Sequence, residues 1–307
     1  NPNNRENLSG AQLRNRAVTD TYEPGSTLKP FTIAQALDSG KVRFDTIIDC
    51  APGRLTIGSA TISDAHPHGA LTVAQVIQKS SNVGSAKIAA MLPPQKMWDM
   101  FDAVGFGRVS RLGFPGEVGG RLRHWKQWRP IEQATMAYGH GISVSLLQLA
   151  RAYSVFAREG DIVSLTLTKL DSGMPATNQV FSQQTVREVR AMLEMAVQAG
   201  GTAPKAQIPG YRVAGKTGTA YKLESGQYVK KYVASFVGFA PASDPRLIVA
   251  VMIDEPGSGQ HYGGDVAGPV FANIMSGSLR TLGVPQDAPV QVAQHSGAVA
   301  KVAKEKL

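Results

Sequence analysis

Apolar residues at Leu28, Phe31, Ile33, Ala34 and Leu37 recur with roughly helical spacing until Gly40, so the run predicts a helix with one face in a core. Pro24 and Gly25 stand before it as turn formers. Val73, Val76 and Ile77 mark one face of a second helix, and helical character resumes from Val83 to Leu92 before Pro93-Pro94. The polar triplet Ser80-Ser81-Asn82 between them predicts a tight interior connection. Its buried hydroxyls and amide need hydrogen-bond partners, either as a structural clasp or as a substrate contact. Further helices are expected over 95–104, 131–138, 145–157 and 184–199.

The period changes after Pro209. Residues 211–220, 232–240 and 247–253 read as strands, and the short turns between them favour antiparallel pairing. An apolar helix over 266–282 can cover the resulting sheet. Small strands and turns are expected over 41–69, and a strand with an exposed hairpin or loop over 161–180. The fold class is therefore α+β, helices packed on an antiparallel sheet. The chain divides into a lead-in over 1–20, one domain over 21–285 and a flexible Ala/Gln/Lys-rich tail over 286–307.

Composition narrows the function. A 307-residue chain with 43% hydrophobic residues can bury a sizeable core. Its formal charge of +9 favours anionic surroundings, but the basic residues are dispersed and no nucleic-acid partner is expected. The one basic aromatic patch, 121–129, reads as a solvated loop anchored by tryptophans. Cys50 is the only cysteine, so no intrachain disulfide forms, and the histidines lack metal-site spacing. His66 and His68 are expected in a surface loop, and no metal or cofactor is expected. No run reaches transmembrane length, so the chain itself reads as soluble. It starts at Asn1 without methionine, which suggests a trimmed product with an anchor or another domain upstream.

Ser26 and Lys29 lie three apart, so on a helix an amine could take the proton of a hydroxyl that is otherwise a poor nucleophile. The same spacing also suits an N-cap followed by a solvated lysine. Lys216-Thr217-Gly218-Thr219 on a strand offers a cation and hydroxyls to a carboxylate, and strand N–H groups to a developing oxyanion. Strand alternation sets Thr217 opposite Lys216 and Gly218 unless a twist turns its hydroxyl into the cleft, and Gly218 removes bulk where a substrate lies on the backbone. His140 is near neutrality by type, but Gly139 and Gly141 suggest a close-packed turn more than a base.

Ser26-Thr27-Leu28-Lys29, Ser80-Ser81-Asn82 and Lys216-Thr217-Gly218-Thr219, in this order and at these separations, resemble the three motifs of penicillin-recognising serine enzymes. Lys79-Ser80-Ser81-Asn82-Val83-Gly84, Gly113-Phe114-Pro115-Gly116-Glu117 and Tyr262-Gly263-Gly264-Asp265 narrow the likeness to class B, division-type penicillin-binding proteins, over about residues 5–285. The resemblance implies a transpeptidase, serine β-lactamase-like fold: a central antiparallel sheet of about five strands flanked by helices, with an all-helical subdomain. It implies a D,D-transpeptidase acting on D-alanyl-D-alanine stems of peptidoglycan and acylated by β-lactams at Ser26. Lys29, Ser80, Asn82 and Lys216 complete the implied catalytic set. Thr217, Gly218, Thr219, Tyr262 and His261 are the implied substrate contacts, and the backbone N–H groups of Ser26 and Thr219 the implied oxyanion hole. It further implies a periplasmic site on the inner membrane through an upstream anchor, with a septal glycan polymerase and divisome proteins as partners. A D,D-carboxypeptidase shares the motifs, as do a β-lactamase and a β-lactam sensor. A β-lactamase is less favoured because no counterpart of its acidic deacylation motif is found, and the intact Ser26–Lys29 pair argues against a silent wall-binding scaffold.

Overall fold

A computed structural model describes residues 6, 10–170, 173, 176–224, 226–257 and 259–289. Its helices of seven residues or more are α1 (Lys29–Asp38), α2 (Val73–Lys79), α3 (Asn82–Ala89), α4 (Pro94–Ala103), α5 (Pro130–Met136), α6 (Leu146–Ala152), α7 (Gln183–Val197) and α8 (Gly268–Thr281). Its long strands are β1 (Ala214–Glu224), β2 (Gln227–Ala240) and β3 (Leu247–Asp254).

The strands form an antiparallel sheet in the order β1-β2-β3, so β1 is an edge among the described residues. Both faces are covered, and strand alternation sorts the side chains between them. Val233, Val237 and Phe239 of β2, with Ile248, Ala250 and Met252 of β3, join the main core. Phe236, Ala240 and Val251 point the other way and pack with Phe271, Met275 and Leu279 of α8. The α+β class is as expected, but the central sheet has three strands among the described residues where about five were expected. The remaining strand-forming runs pair with each other instead: Ile47–Asp49 with Ala70–Thr72, Arg54–Ile57 with Ala60–Ser63, and Asp161–Val163 with Thr177–Gln179. Gly58, with φ of +63°, lies in the turn that joins Arg54–Ile57 to Ala60–Ser63.

Helix α1 is the centre of the helical side, packed against α2, α3, α4 and α7. Fully buried Phe31 meets Phe106, Tyr153 and Phe156 at centroid distances of 5.6, 5.4 and 5.0 Å. Burying one such ring contributes about 1.5–3 kcal/mol. The Tyr153 hydroxyl also donates to the Thr27 carbonyl at 2.8 Å, which fixes the segment just before α1 to the same cluster.

The lead-in is tied to the sheet where Arg16 bridges Asp20 and Asp254. The tail expected from 286 starts as part of the body: Asp287 accepts from the Arg212 N–H at 2.7 Å and from Ser243 Oγ at 2.6 Å, and the Ala288 N–H donates to Gly210. Residues 290–307 of that tail lie outside the described residues. Among the described residues no helix is long and apolar enough to cross a membrane.

Candidate active site

Ser26 lies in a 3₁₀ turn, Gly25–Leu28, and α1 begins at Lys29. A 3₁₀ turn nearly eclipses residues three apart, so Lys29 stands over Ser26 with its Nζ 2.7 Å from the Ser26 Oγ. The turn is pinned on both sides. Thr27 Oγ1 donates to the Pro24 carbonyl at 2.8 Å, and the Gly25 N–H donates to Gly139 at 3.2 Å. Gly139 has φ of +86°, and a Cβ there would fall 2.1 Å from the Gly25 carbonyl oxygen, so a side chain would expel the nucleophile turn. The close packing expected around His140 holds at Gly139, whereas a Cβ at Gly141 would meet nothing nearer than 3.9 Å.

The polar triplet forms the second wall. Helix α2 starts with a capping box, Thr72 with Gln75, and ends at Ser80 in the left-handed conformation, φ 61° and ψ 39°. That residue reverses the chain, and Ser81 then caps α3 by accepting the Gly84 N–H at 2.9 Å. Ser80 Oγ, the Ser80 carbonyl and Asn82 Oδ1 converge on the Lys29 Nζ at 3.0, 2.6 and 2.8 Å. Ser81 is a clasp, its hydroxyl bonded to Asp64 and to the Gly84 N–H, and all three residues of the triplet line the cleft.

Edge strand β1 is the third wall. Thr217 and Thr219 share one parity and both line the cleft, so the cleft lies on their side of the strand. Lys216 has the other parity, yet its long stem brings Nζ to 2.9 Å from Ser80 Oγ and 3.2 Å from Thr217 Oγ1. Thr217 Oγ1 also lies 3.0 Å from Thr202 Oγ1, and Thr219 Oγ1 accepts the Gly263 N–H at 3.0 Å. Gly218 does not face the cleft. A Cβ there would meet Ser235 Oγ at 2.4 Å and the Pro24 carbonyl oxygen at 2.7 Å, so this glycine lets the Ser26 turn dock against β1 and is not a side-chain gap for substrate.

Both lysines have 0% exposed surface. Their amines bond to hydroxyl, amide and carbonyl oxygens among the described residues. Burial lowers the Lys29 pKa well below the ordinary lysine value; the Lys216 charge lowers it further, and Asp64 opposes the shift. Burial alone brings Lys216 down to about 7. Desolvation thus favours the neutral amine, the form that can accept a proton from Ser26.

The cleft encloses about 800 Å³. On its rim the His261 ring stacks on Tyr232, at 4.0 Å and 19°, and meets the Tyr262 ring tilted, at 4.5 Å and 34°. Tyr262 is 46% exposed, and both expected rim residues line the opening. His66 and His68, expected as plain loop residues, line the same cleft. His140 lines it too, held against Tyr138 and Tyr228, and burial lowers its pKa to about 4. Asp64, Tyr138, Thr202 and Tyr232 also belong to the site, and sequence reasoning missed them. They are far from the motifs in the chain, and only the folded arrangement brings them in.

The penicillin binding protein transpeptidase domain family matches residues 1–276. A probable peptidoglycan D,D-transpeptidase PenA from Neisseria flavescens is 48% identical over 290 residues, 94% of this chain and 72% of that protein. Peptidoglycan D,D-transpeptidase FtsI of Escherichia coli is 42% identical over 289 residues; the match takes in 94% of this chain and 49% of that protein, so the chain spans about half of its length. The apo TP domain of Burkholderia pseudomallei penicillin-binding protein 3 superposes with a TM-score of 0.86 at 51% identity, covering 90% of this chain and 84% of that one. The chain therefore belongs to the penicillin binding protein transpeptidase domain family, as a class B, serine-type D,D-transpeptidase domain closely related to the septal FtsI enzymes.

Proposed function

We propose that the domain cross-links peptidoglycan by two acyl transfers through Ser26. The observation that carries this reading is the 2.7 Å approach of a buried, charge-disfavoured Lys29 amine to the Ser26 hydroxyl. Ser26 attacks the penultimate D-alanine carbonyl of a stem peptide, and Lys29 takes its proton. The backbone N–H groups of Ser26 and Thr219 hold the oxyanion. Support comes from β1 being an edge strand, since alternate N–H groups of an edge point away from its sheet partner toward an added chain.

Ser80 Oγ bridges Lys29 and Lys216, at 3.0 and 2.9 Å, which suits it to pass the proton on to the leaving D-alanine amine. Asn82 orients Lys29 and binds the substrate amide. Thr217 and Thr219, on the cleft side of β1 with Lys216 behind them, receive the terminal carboxylate, while Tyr262 and His261 flank the stem. The amine of a neighbouring stem then attacks the acyl-enzyme, forming the new amide and freeing Ser26. A β-lactam resembles the D-alanyl-D-alanine end and acylates the same oxygen. In the full-length protein the domain works on the periplasmic face of the inner membrane, held by an upstream anchor, beside a septal glycan polymerase and divisome proteins. The support for that setting is kinship with FtsI-named relatives.

The test is partition of the acyl-enzyme. Given a D-alanyl-D-alanine stem peptide and an acceptor amine, the protein should yield more aminolysis than hydrolysis product by mass spectrometry. Predominant hydrolysis would assign it as a D,D-carboxypeptidase.

A further inference from the structure

Asp64 follows the hairpin strand Ala60–Ser63 and is fixed to the start of the partner strand Arg54–Ile57, where its own N–H donates to the Gly53 carbonyl at 2.9 Å. Its carboxylate is the hub of the second wall. Oδ1 accepts the N–H groups of Asn82 at 2.5 Å and Val83 at 3.0 Å, and Oδ2 accepts the Ser81 hydroxyl at 2.8 Å. One residue earlier, the Ser63 carbonyl accepts Asn82 Nδ2 at 2.8 Å. With its Nδ2 held there, the Asn82 amide has one orientation available, and its Oδ1 faces the Lys29 Nζ. The hairpin thereby sets the direction of an amide two bonds removed from the nucleophile.

We propose that Asp64 is a positioning residue for acyl transfer: it anchors the Ser81-Asn82-Val83 turn and so aims the Asn82 amide at Lys29. The charged and titratable groups facing Lys29 are Lys216 from β1, Asp64 from the hairpin, and Tyr138 and His140 from the turn after α5. Asp64 also faces Cys50, beside Lys87 and Asp49. Of these, Asp64 is the group that favours the protonated amine, and Lys216 the group that opposes it. Burial lowers the Lys29 pKa most, and on top of it the two act from opposite sides on the pH at which Lys29 becomes a base. Carboxylates bonded to backbone N–H groups at a helix start also complement the helix dipole, so Asp64 holds α3 by the same contacts that hold Asn82.

This inference deepens the acyl-transfer reading and rests on it, and the parent protein's own acylation at Ser26 tests that reading separately. The experiment is the rate of acylation by a fluorescent penicillin as a function of pH, for the parent, Asp64→Asn, Asp64→Glu and Ser81→Ala. Asp64→Asn should slow acylation about 10- to 100-fold, as displaced catalytic groups do. It should also move the acid limb of the profile to lower pH, because the charge that raises the Lys29 pKa is gone. Ser81→Ala, which removes the Oδ2 contact and no charge, should slow the reaction less and leave the limb in place. Should Asp64→Asn fail to fold, Asp64→Glu carries the test: its charge is kept and its reach altered, so the rate falls while the limb stays. A parent-like rate in Asp64→Asn or Asp64→Glu, or a slowed Asp64→Asn with an unmoved limb, would overturn the proposal.

Discussion

The floor and the rim of the cleft are built on different principles. On the floor, Ser26, Lys29, Ser80, Asn82 and Lys216 come from the three walls of the cleft, and interlocking hydrogen bonds of 2.6–3.0 Å fix their polar atoms. On the rim, Tyr232, His261 and Tyr262 are held by ring stacking, and Tyr262 is about half exposed. Buried polar groups in a mutual network lose heavily when one partner goes, because the others are left unsatisfied in a poor solvent. Stacked rings at a surface lose only their own contact. The floor should therefore govern the chemical step, and the rim the encounter with substrate.

Lys29→Met breaks the floor most directly. It should lower the limiting acylation rate by about 10³-fold, within the range for losing a general base, with encounter affinity little changed; stopped-flow kinetics separates the two. Lys216→Met should cost less in rate, about 10²-fold, and it should shift the acid limb to higher pH, because the Lys216 charge that lowers the Lys29 pKa is removed. The same substitution has a stability signature. With the folded pKa near 7 against 10.5 for free lysine, the unfolded chain holds a proton between those values that the folded chain has released. Stability contributed by this group thus rises with pH across that window, by about 1.4 kcal/mol per pH unit at most. Urea melts at pH 7 and 9 should show this rise in the parent and a smaller one in Lys216→Met.

Gly218→Ala tests whether the floor depends on docking between walls. Its Cβ would press on Ser235 and on the Pro24 carbonyl, so it should destabilise by about 1–3 kcal/mol and slow acylation while leaving the Lys29 pH limb in place. Tyr262→Ala should show the smallest effect, a loss of about 0.5–1.5 kcal/mol in encounter affinity with an unchanged limiting rate. A large fall in limiting rate from Tyr262→Ala would erase the distinction between floor and rim.

The same contrast explains what was legible in the chain. Ser26, Lys29, Ser80, Asn82 and Lys216 are carried by short motifs on elements with clear periodicity, and α1, α7 and all three long strands stand near their expected positions. Thr217 was harder, because alternation fixes two faces of a strand and does not say which one meets the cleft. Gly218 shows a related limit: a glycine marks a close approach without saying of what, and here the Pro24 turn approaches. Asp64 left no local signal, since a carboxylate after a short strand gains its role only when that hairpin docks on α3. Among the described residues the central sheet has three strands, and strand number is a property of long-range pairing that no local period along the chain reports.

The central claim is that Ser26 is the atom that is acylated. Intact-mass measurement after a labelled penicillin, followed by peptide mapping, should show one slowly lost adduct on Ser26 in the parent and none in Ser26→Ala. An adduct on another residue, one that persists in Ser26→Ala, or one lost by rapid turnover would contradict the account.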